Sequence, residues 1–206
     1  LFASSREVYG EPSALPVDED APLRPVNIYG RSKVAGEEAV LGARDRGLRT
    51  AVVRLSNVYG RVADHPDRVV PAFAKAAARG EPLRVEGADH TFDFTHIQDV
   101  MAGLVRLIAL LDGSDPPPPP VHLVSERATT LGELARLAVE LAGTCSPILA
   151  GATRSYDVAR FVGCGARARA VLGWGPSVPL EEGLGRLIGA FRQQAAAQHA
   201  VEVSAP

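Results

Sequence analysis

The sequence predicts an α/β fold built on a parallel sheet. Short β-branched or apolar runs alternate with longer stretches of helical periodicity, and that order lays strands side by side in one direction with helices over them. The run Thr50–Leu55 (Thr-Ala-Val-Val-Arg-Leu) is almost continuously apolar, as a strand covered on both faces requires. Ile97, Val100, Met101, Leu104, Val105, Ile108 and Leu111 recur at i, i+3 and i+4, which is the stripe of an amphipathic helix.

Taken in order, Leu1–Ser5 reads as a short apolar strand ending in hydroxyls. Glu7–Pro25 is rich in Pro, Gly and acidic residues and predicts a long surface loop. Asn27 is a candidate N-cap for a helix that runs to Arg46 and stops at Gly47. Thr50–Leu55 is the next strand and Asn57–Arg68 a polar loop. Val69–Arg79 has helical spacing and ends at Gly80. Leu83–Glu86 and Thr91–His96 are short strands, followed by the Ile97–Leu111 helix. Pro116–Pro120 cannot donate backbone hydrogen bonds and predicts a stiff surface loop. Val121–Val124 is a further strand. Thr130-Leu131-Gly132-Glu133 has the form of a capping box and opens a helix to Ala142. Cys164–Leu172 and Leu180–Gln194 complete the helices, and Ala195–Pro206 is expected to fray. The expected division is a sheet domain over 1–68 with returns near 91–124, a smaller mixed lobe over 69–194, and the tail 195–206.

Composition narrows the function. The net charge of −2 and the lack of any basic run give no footing for nucleic acid or an acidic membrane surface. No stretch approaches the ~18 consecutive apolar residues of a membrane span. Two cysteines, Cys145 and Cys164, make no disulfide framework and read as thiols of a reducing compartment, hence a cytoplasmic setting. No metal-ligand spacing is present. The opening Leu1-Phe2-Ala3 looks like the interior of a strand, and the expectation is a chain whose N-terminal portion lies outside these residues.

The chemistry centres on Asn27-Ile28-Tyr29-Gly30-Arg31-Ser32-Lys33. Four residues apart on a helix, the phenol of Tyr29 and the ammonium of Lys33 share one face. A nearby ammonium favours the phenolate, so Tyr29 is a candidate acid/base and a solvated helix face is the plain alternative. Ser5 stands at a strand's carboxyl end, where ligands of open α/β sheets gather, or is a turn serine. Asn57, at the next strand's end, either meets a polar ligand or forms an Asx turn.

These residues fall in a series of motifs. They are Ser4-Ser5-Arg6-Glu7-Val8-Tyr9-Gly10, Tyr29-Gly30-Arg31-Ser32-Lys33, Arg54-Leu55-Ser56-Asn57-Val58-Tyr59-Gly60, Asp93-Phe94-Thr95-His96-Ile97-Gln98-Asp99-Val100 and Leu172-Gly173-Trp174-Gly175-Pro176. In this order and spacing the chain resembles the extended short-chain dehydrogenase/reductases, specifically the NAD-dependent nucleotide-sugar epimerases and dehydratases. The resemblance implies the C-terminal part of a Rossmann-like doubly wound parallel sheet plus a smaller mixed α/β substrate lobe.

It further implies NAD as cofactor and a nucleotide-sugar substrate. Ser5 would bond the sugar oxygen being oxidised, Tyr29 would take its proton, and Lys33 would hold the nicotinamide ribose. Ser56 would lie against the cofactor. Glu7, Asn57 and Arg160 would serve the substrate, Arg160 through the fork of donors that suits a diphosphate; a surface ion pair is its alternative. The family often dimerises through the Tyr-x-x-x-Lys helix, and Val34, Glu37, Glu38 and Leu41 lie along it here.

Four departures from the family pattern stand out. No G-x-x-G-x-x-G turn occurs among the 206 residues. Phe92 stands where relatives often place a phosphate-binding arginine, and Cys164 stands where an acidic residue is usual, as a substitution at a helix start. Arg6 stands where 4,6-dehydratases carry the aspartic acid of their Asp-Glu pair. That last change argues for a C4 epimerase, with a 4-ketoreductase or dehydratase as alternatives. An inactive fragment or substrate-binding module is the reading of another class.

Overall fold

A computed structural model describes residues 1–113, 116–151 and 158–204. In chain order the strands are β1 (Phe2–Ser5), β2 (Val52–Leu55), β3 (Asn57–Tyr59), β4 (Leu83–Val85), β5 (Thr91–Phe92), β6 (Phe94–His96), β7 (Val121–Leu123), β8 (Thr129–Thr130), β9 (Ile148–Ala150) and β10 (Arg160–Phe161). The helices are α1 (Ile28–Gly42), α2 (Val69–Arg79), α3 (Ile97–Gly113), α4 (Leu131–Ala142), α5 (Ala166–Leu172) and α6 (Leu180–Ser204). The α/β class and the parallel sheet are as the sequence predicts.

The chain divides into two compact units, one of Leu1–Val58, His90–Thr129 and Ser155–Ser177, the other of Tyr59–Asp89, Thr130–Arg154 and Val178–Pro206. The division differs from the boundaries drawn on the sequence. Residues 158–177 belong with the sheet because β10 pairs in parallel with β5 and Gly163 bridges to Val17.

In the first unit β1, β2 and β7 form a parallel sheet in the order β1-β2-β7. Phe2 aligns with Val52 and Ser5 with Leu55, while Val53 aligns with Val121. This register carries Ser5 and the Ser56-Asn57 pair to the same carboxyl edge. Ala51, Val53, Val121 and Leu123 of the sheet join Val100, Leu107, Ala168 and Trp174 in one buried cluster. The indole N–H of Trp174 donates to the Asp99 carbonyl at 3.0 Å, and the Asp99 carboxylate caps Ser177 through its N–H and hydroxyl at 3.0 and 2.6 Å. Two motifs distant in sequence are thus joined to one another.

The Pro116–Pro120 segment lies where a stiff loop was expected. It can only accept hydrogen bonds, and arginines supply them: Arg44 Nη2 donates to the Pro118 carbonyl at 2.7 Å and Arg167 Nη1 to the Pro120 carbonyl at 3.2 Å.

In the second unit α2, α4 and α6 pack on one another, burying Phe73, Ala77, Leu134, Ala138, Leu184, Ile188 and Phe191. The capping box is present, with Glu133 N–H donating to Thr130 Oγ1 at 3.1 Å and Thr130 N–H to Glu133 Oε2 at 2.8 Å. β4 and β9 pair in parallel beside these helices.

Several boundaries differ from expectation. Helix α1 tightens to a 3-10 turn over Ala43–Arg46 before Gly47. Helix α5 starts at Ala166 and not at Cys164, whose N–H donates to the Val17 carbonyl at 2.7 Å. Helix α6 continues over the stretch expected to fray, as far as Ser204, and residues 205 and 206 lie outside the described residues. Glu37, one of the residues along the helix expected at a dimer contact, is only 2% exposed and bonds Arg54 within the sheet unit. No described helix is long and apolar enough to cross a membrane.

Candidate active site

Ser5 ends β1 and caps the 3-10 turn Arg6–Tyr9, accepting from the Glu7 N–H at 3.2 Å. Its own hydroxyl hydrogen is not used in that bond. The Glu7 carboxylate then reaches back to the start of α1, where its Oε2 accepts from Asn27 Nδ2 at 3.0 Å. Asn27 is the N-cap expected from the sequence, its Oδ1 accepting from the Gly30 N–H at 2.7 Å. A continuous chain of hydrogen bonds, Ser5 to Glu7 to Asn27 to Gly30, therefore fixes the first turn of α1 against the end of β1.

Gly30 makes the approach possible. A Cβ there would stand 2.5 Å from the Glu7 carbonyl oxygen and 2.9 Å from Pro25 Cβ. Nearly two turns further on, Gly36 admits the Phe2 ring, which would lie 2.3 Å from a Cβ at that position.

Tyr29 and Lys33 sit on this helix as their spacing predicts. The Lys33 ammonium donates to the Ala3 carbonyl at 3.0 Å. It also lies 5.5 Å from the Tyr29 ring centroid and 5.2 Å from that of Phe2. The Ala3 bond ties the lysine to β1 two residues before Ser5. Tyr29 is 53% exposed, so its phenol is open to a ligand.

The other sequence-predicted residues fall into two groups. Ser56 and Asn57 stand at the same edge as Ser5, and both are tied to Asp93. Ser56 Oγ donates to the Asp93 carbonyl at 2.6 Å, and the Asn57 N–H donates to it at 3.2 Å. Arg160 instead has the ion pair that was its alternative, with Nε 3.0 Å from Glu11 Oε1 and Nη2 donating to the Pro12 carbonyl at 3.2 Å. Tyr156 and Asp157 of its motif lie outside the described residues. Glu7, expected to touch substrate, spends its two oxygens on Arg6 and Asn27.

A buried polar network that sequence reasoning missed lies beneath the site. Arg54 of β2 donates from Nε to Glu37 Oε1 at 3.0 Å and from Nη2 to Glu37 Oε2 at 2.7 Å. Ser4 also donates to Glu37. Arg54 Nη1 donates to the Tyr9 hydroxyl at 2.6 Å, and Tyr9 meets His122 Nε2 at 2.6 Å. Burial raises the Tyr9 pKa and lowers that of His122 to about 4. A second knot surrounds Asp93, which accepts from Thr95 Oγ1, from Ser125 N–H and Oγ, and from the Glu126 N–H at 2.8–3.1 Å. The signal for these residues was present in the motifs, where Tyr9, Arg54 and Asp93 recur, but their partners lie far off in sequence.

The tyrosine, lysine and serine fit the nicotinamide end of a dinucleotide. An exposed phenol and a fixed ammonium share one face beside a strand-end hydroxyl. The glycine turn that would cradle the diphosphate is not among the 206 residues.

Comparison with known proteins bears on the same residues. The family model described as "NAD dependent epimerase/dehydratase family" matches residues 1–119. The UDP-glucuronic acid decarboxylase 1 of Xenopus tropicalis is 32% identical over 202 residues, covering 94% of this chain and 47% of that protein. The UDP-glucose 4-epimerase of Streptomyces lividans is 30% identical over 195 residues, covering 86% of this chain and 57% of that protein. Among solved structures, the UDP-glucose 4-epimerase of Thermotoga maritima with UDP-glucose superposes with a TM-score of 0.86 at 28% identity, covering 94% of this chain and 63% of that one. MoeE5 in complex with UDP-glucuronic acid and NAD gives 0.84 at 31% identity, with 93% and 64% covered. The chain spans about half the length of the curated relatives it matches. Matched over residues 1–119, more than half of its length, the chain belongs to the NAD dependent epimerase/dehydratase family.

Proposed function

We propose that this chain carries the hydroxyl-oxidising site of an NAD-dependent nucleotide-sugar epimerase acting at C4 of the sugar. The observation that supports it is the hydrogen-bond chain from Ser5 through Glu7 and Asn27 to Gly30, which fixes the start of α1, the helix of Tyr29 and Lys33, against the end of β1 at Ser5. Ser5 donates to the C4 oxygen through the hydrogen that its cap bond leaves unused. Tyr29 is the base proposed to take the C4 hydroxyl proton as C4 is oxidised to a carbonyl. NAD, held at Tyr29, Lys33 and Ser56, would supply the hydride chemistry at C4. Lys33 keeps a positive charge beside the phenol and holds the ribose hydroxyls, positioned by its bond to Ala3. Turnover of the keto sugar between the two transfers inverts C4, and Tyr29 gives the proton back.

Ser56 and Asn57 line the same edge and are the residues proposed to meet cofactor and substrate there. Arg160 is left out of this reading, because its Nε and Nη2 are engaged by Glu11 and the Pro12 carbonyl. A cytoplasmic setting is part of the same reading. Replacement of the dehydratase aspartic acid by Arg6 favours epimerisation over 4,6-dehydration, since no acid is left there to protonate a leaving hydroxyl.

The test is Tyr29→Phe, assayed by chromatographic separation of UDP-sugar C4 epimers. Turnover is expected to fall by about 10²–10⁴-fold, the usual contribution of a positioned acid/base. Far-ultraviolet circular dichroism and UDP-sugar affinity are expected to stay as they were. Near-normal turnover in this variant would overturn the assignment.

A further inference from the structure

Arg6 is a cation beside the reacting groups that the epimerase chemistry leaves unused. It follows Ser5 directly and opens the turn Arg6–Tyr9. Its side chain is 13% exposed, and its guanidinium lies over the Phe92 ring with Cζ 4.7 Å from the centroid. Nη2 pairs with Glu7 Oε1 at 3.0 Å. Nη1 is buried and has no hydrogen-bond partner among the described residues. Burial pulls the guanidinium below its ordinary value, while the nearby Glu7, Glu11 and Tyr29 act the other way; the group remains a cation. A buried charged donor with nothing to bind is costly, and in folded proteins such an atom calls for a partner.

Three features identify that partner. Its charge is negative or its exposed atoms are acceptors, because the guanidinium offers only N–H groups. Its shape must suit a guanidinium with Nη2 already held by Glu7 and the buried Nη1 still without a partner, which one oxygen of a carboxylate satisfies. Its place is at the sugar, because Arg6 is consecutive with Ser5 and feels the field of Tyr29. The two positions that depart from the family pattern here, Arg6 and Phe92, are also in contact with each other. The arginine usual at the second position is absent and a guanidinium enters from the first, stacked on the ring that replaces it.

We propose that Arg6 selects a nucleotide-linked uronic acid, with Nη1 donating to the C6 carboxylate while Ser5 and Tyr29 hold the C4 hydroxyl. The assignment rests on the nucleotide-sugar reading above. It also gives Arg6 a reason to stand where dehydratases need an acid. A C6 carboxylate offers no C6 hydroxyl to eliminate, so the acid has no task and a cation has one.

The test is calorimetric titration of the protein with UDP-glucuronic acid, UDP-glucose and UDP, repeated on Arg6→Met and Arg6→Gln. Methionine keeps the packing on Phe92 without a donor, and glutamine keeps a neutral donor. The unmodified protein is expected to bind UDP-glucuronic acid more tightly than UDP-glucose. Arg6→Met should weaken UDP-glucuronic acid by at least about tenfold, as loss of one partner of a buried charged contact does, while UDP-glucose and UDP stay within about twofold. Arg6→Gln should fall between. Equal losses on all three ligands would assign the donor to the diphosphate and overturn the proposal. No loss on any, or no preference for the uronic acid in the unmodified protein, would overturn it as well. Binding of UDP with neither sugar bound more tightly would overturn the nucleotide-sugar reading and this assignment together, whereas tight UDP-glucose binding without the preference would overturn this assignment alone.

Discussion

Acidification should destabilise the sheet unit through His122 by an amount that its hydrogen bonds set. The residue lies on β7 with no exposed surface. Its Nδ1 faces the Cys164 carbonyl at 3.3 Å, an acceptor only, so Nδ1 carries the ring hydrogen. Nε2 is then the acceptor for the Tyr9 hydroxyl at 2.6 Å, and that hydroxyl accepts in turn from Arg54. The neutral imidazole satisfies this arrangement, whereas a proton on Nε2 would face a hydroxyl already oriented toward it. Burial, and then the Arg54 charge, lower the pKa from 6.5 to about 4. The unfolded chain takes up its proton near 6.5 and the folded chain only near 4, so the unfolded state binds more protons across that window. Stability from this group is complete above the unfolded value and is lost as pH falls to the folded one. At ~1.4 kcal/mol per pH unit the loss reaches about 3 kcal/mol by pH 4. Glu19 and Asp93, both held above their ordinary values by burial, titrate in the opposite sense. The measurement is therefore a difference. Urea unfolding, read by the fluorescence of the single tryptophan, Trp174, is followed from pH 7 to pH 4 for the protein and for His122→Gln, which keeps an acceptor for Tyr9 without a titrating ring. The stability difference between the two should shift by about 3 kcal/mol against the protein with His122 as pH falls. A difference that stays flat with pH would refute the reasoning.

Two more substitutions probe the scaffold of the site. Glu37→Ala would leave Arg54 Nε and Nη2 and the Ser4 hydroxyl without their acceptor inside the sheet unit, at a cost of about 3–5 kcal/mol; a loss under about 1 kcal/mol in urea unfolding would show that the pair is not buried as described. Gly30→Ala would put a Cβ 2.5 Å from the Glu7 carbonyl oxygen. The turn carrying Ser5 would have to shift, and epimerase turnover should fall on the order of 10²-fold, as an ångström-scale misplacement costs; unchanged turnover would mean that the close packing does not set the site.

The longer helices were legible because their signals are local. Helix α2 ends at Gly80, α3 follows its apolar stripe, and α4 begins at the Thr130 capping box, each a matter of a few neighbouring residues. Strand β2 was legible as an apolar run, and its register with β1 brings Ser5 and Asn57 to one edge, as the order of motifs suggested. The strands that sequence reasoning missed give no such signal. β10 has two residues and exists through its pairing with β5, while β9 is exposed along its length and exists through its pairing with β4. The burial of Glu37 was not legible for a related reason. A glutamate on a helix is ordinarily solvated, and only Arg54, 17 positions on, makes its burial tolerable.

The same network separates the residues of each motif by task. In Ser4-Ser5, alternate side chains of β1 part ways: Ser4 is buried and bonds Glu37, whereas Ser5 ends the strand and caps the turn. In Arg54-Leu55-Ser56-Asn57, the arginine is buried under the sheet and the serine and asparagine stand at its edge. Tyr9 and Asp93 hold β7 and the segment after it, through His122, Ser125 and Glu126. Most of the residues that make the motifs recognisable are therefore fasteners whose polar atoms are already satisfied by one another. Among the described residues, side chains with chemistry still to offer include the Ser5 hydroxyl hydrogen, the exposed Tyr29 phenol, the Lys33 ammonium beside it, the unpartnered Nη1 of Arg6 and the Asn57 amide at the start of β3. The first four belong to β1, to the turn that follows it or to the first turns of α1, the segments that the Ser5-Glu7-Asn27-Gly30 hydrogen bonds lock together. The proposed site owes much of its geometry to those bonds, so substitutions at Glu7 and Asn27 should lower turnover as those at the proposed catalytic residues do.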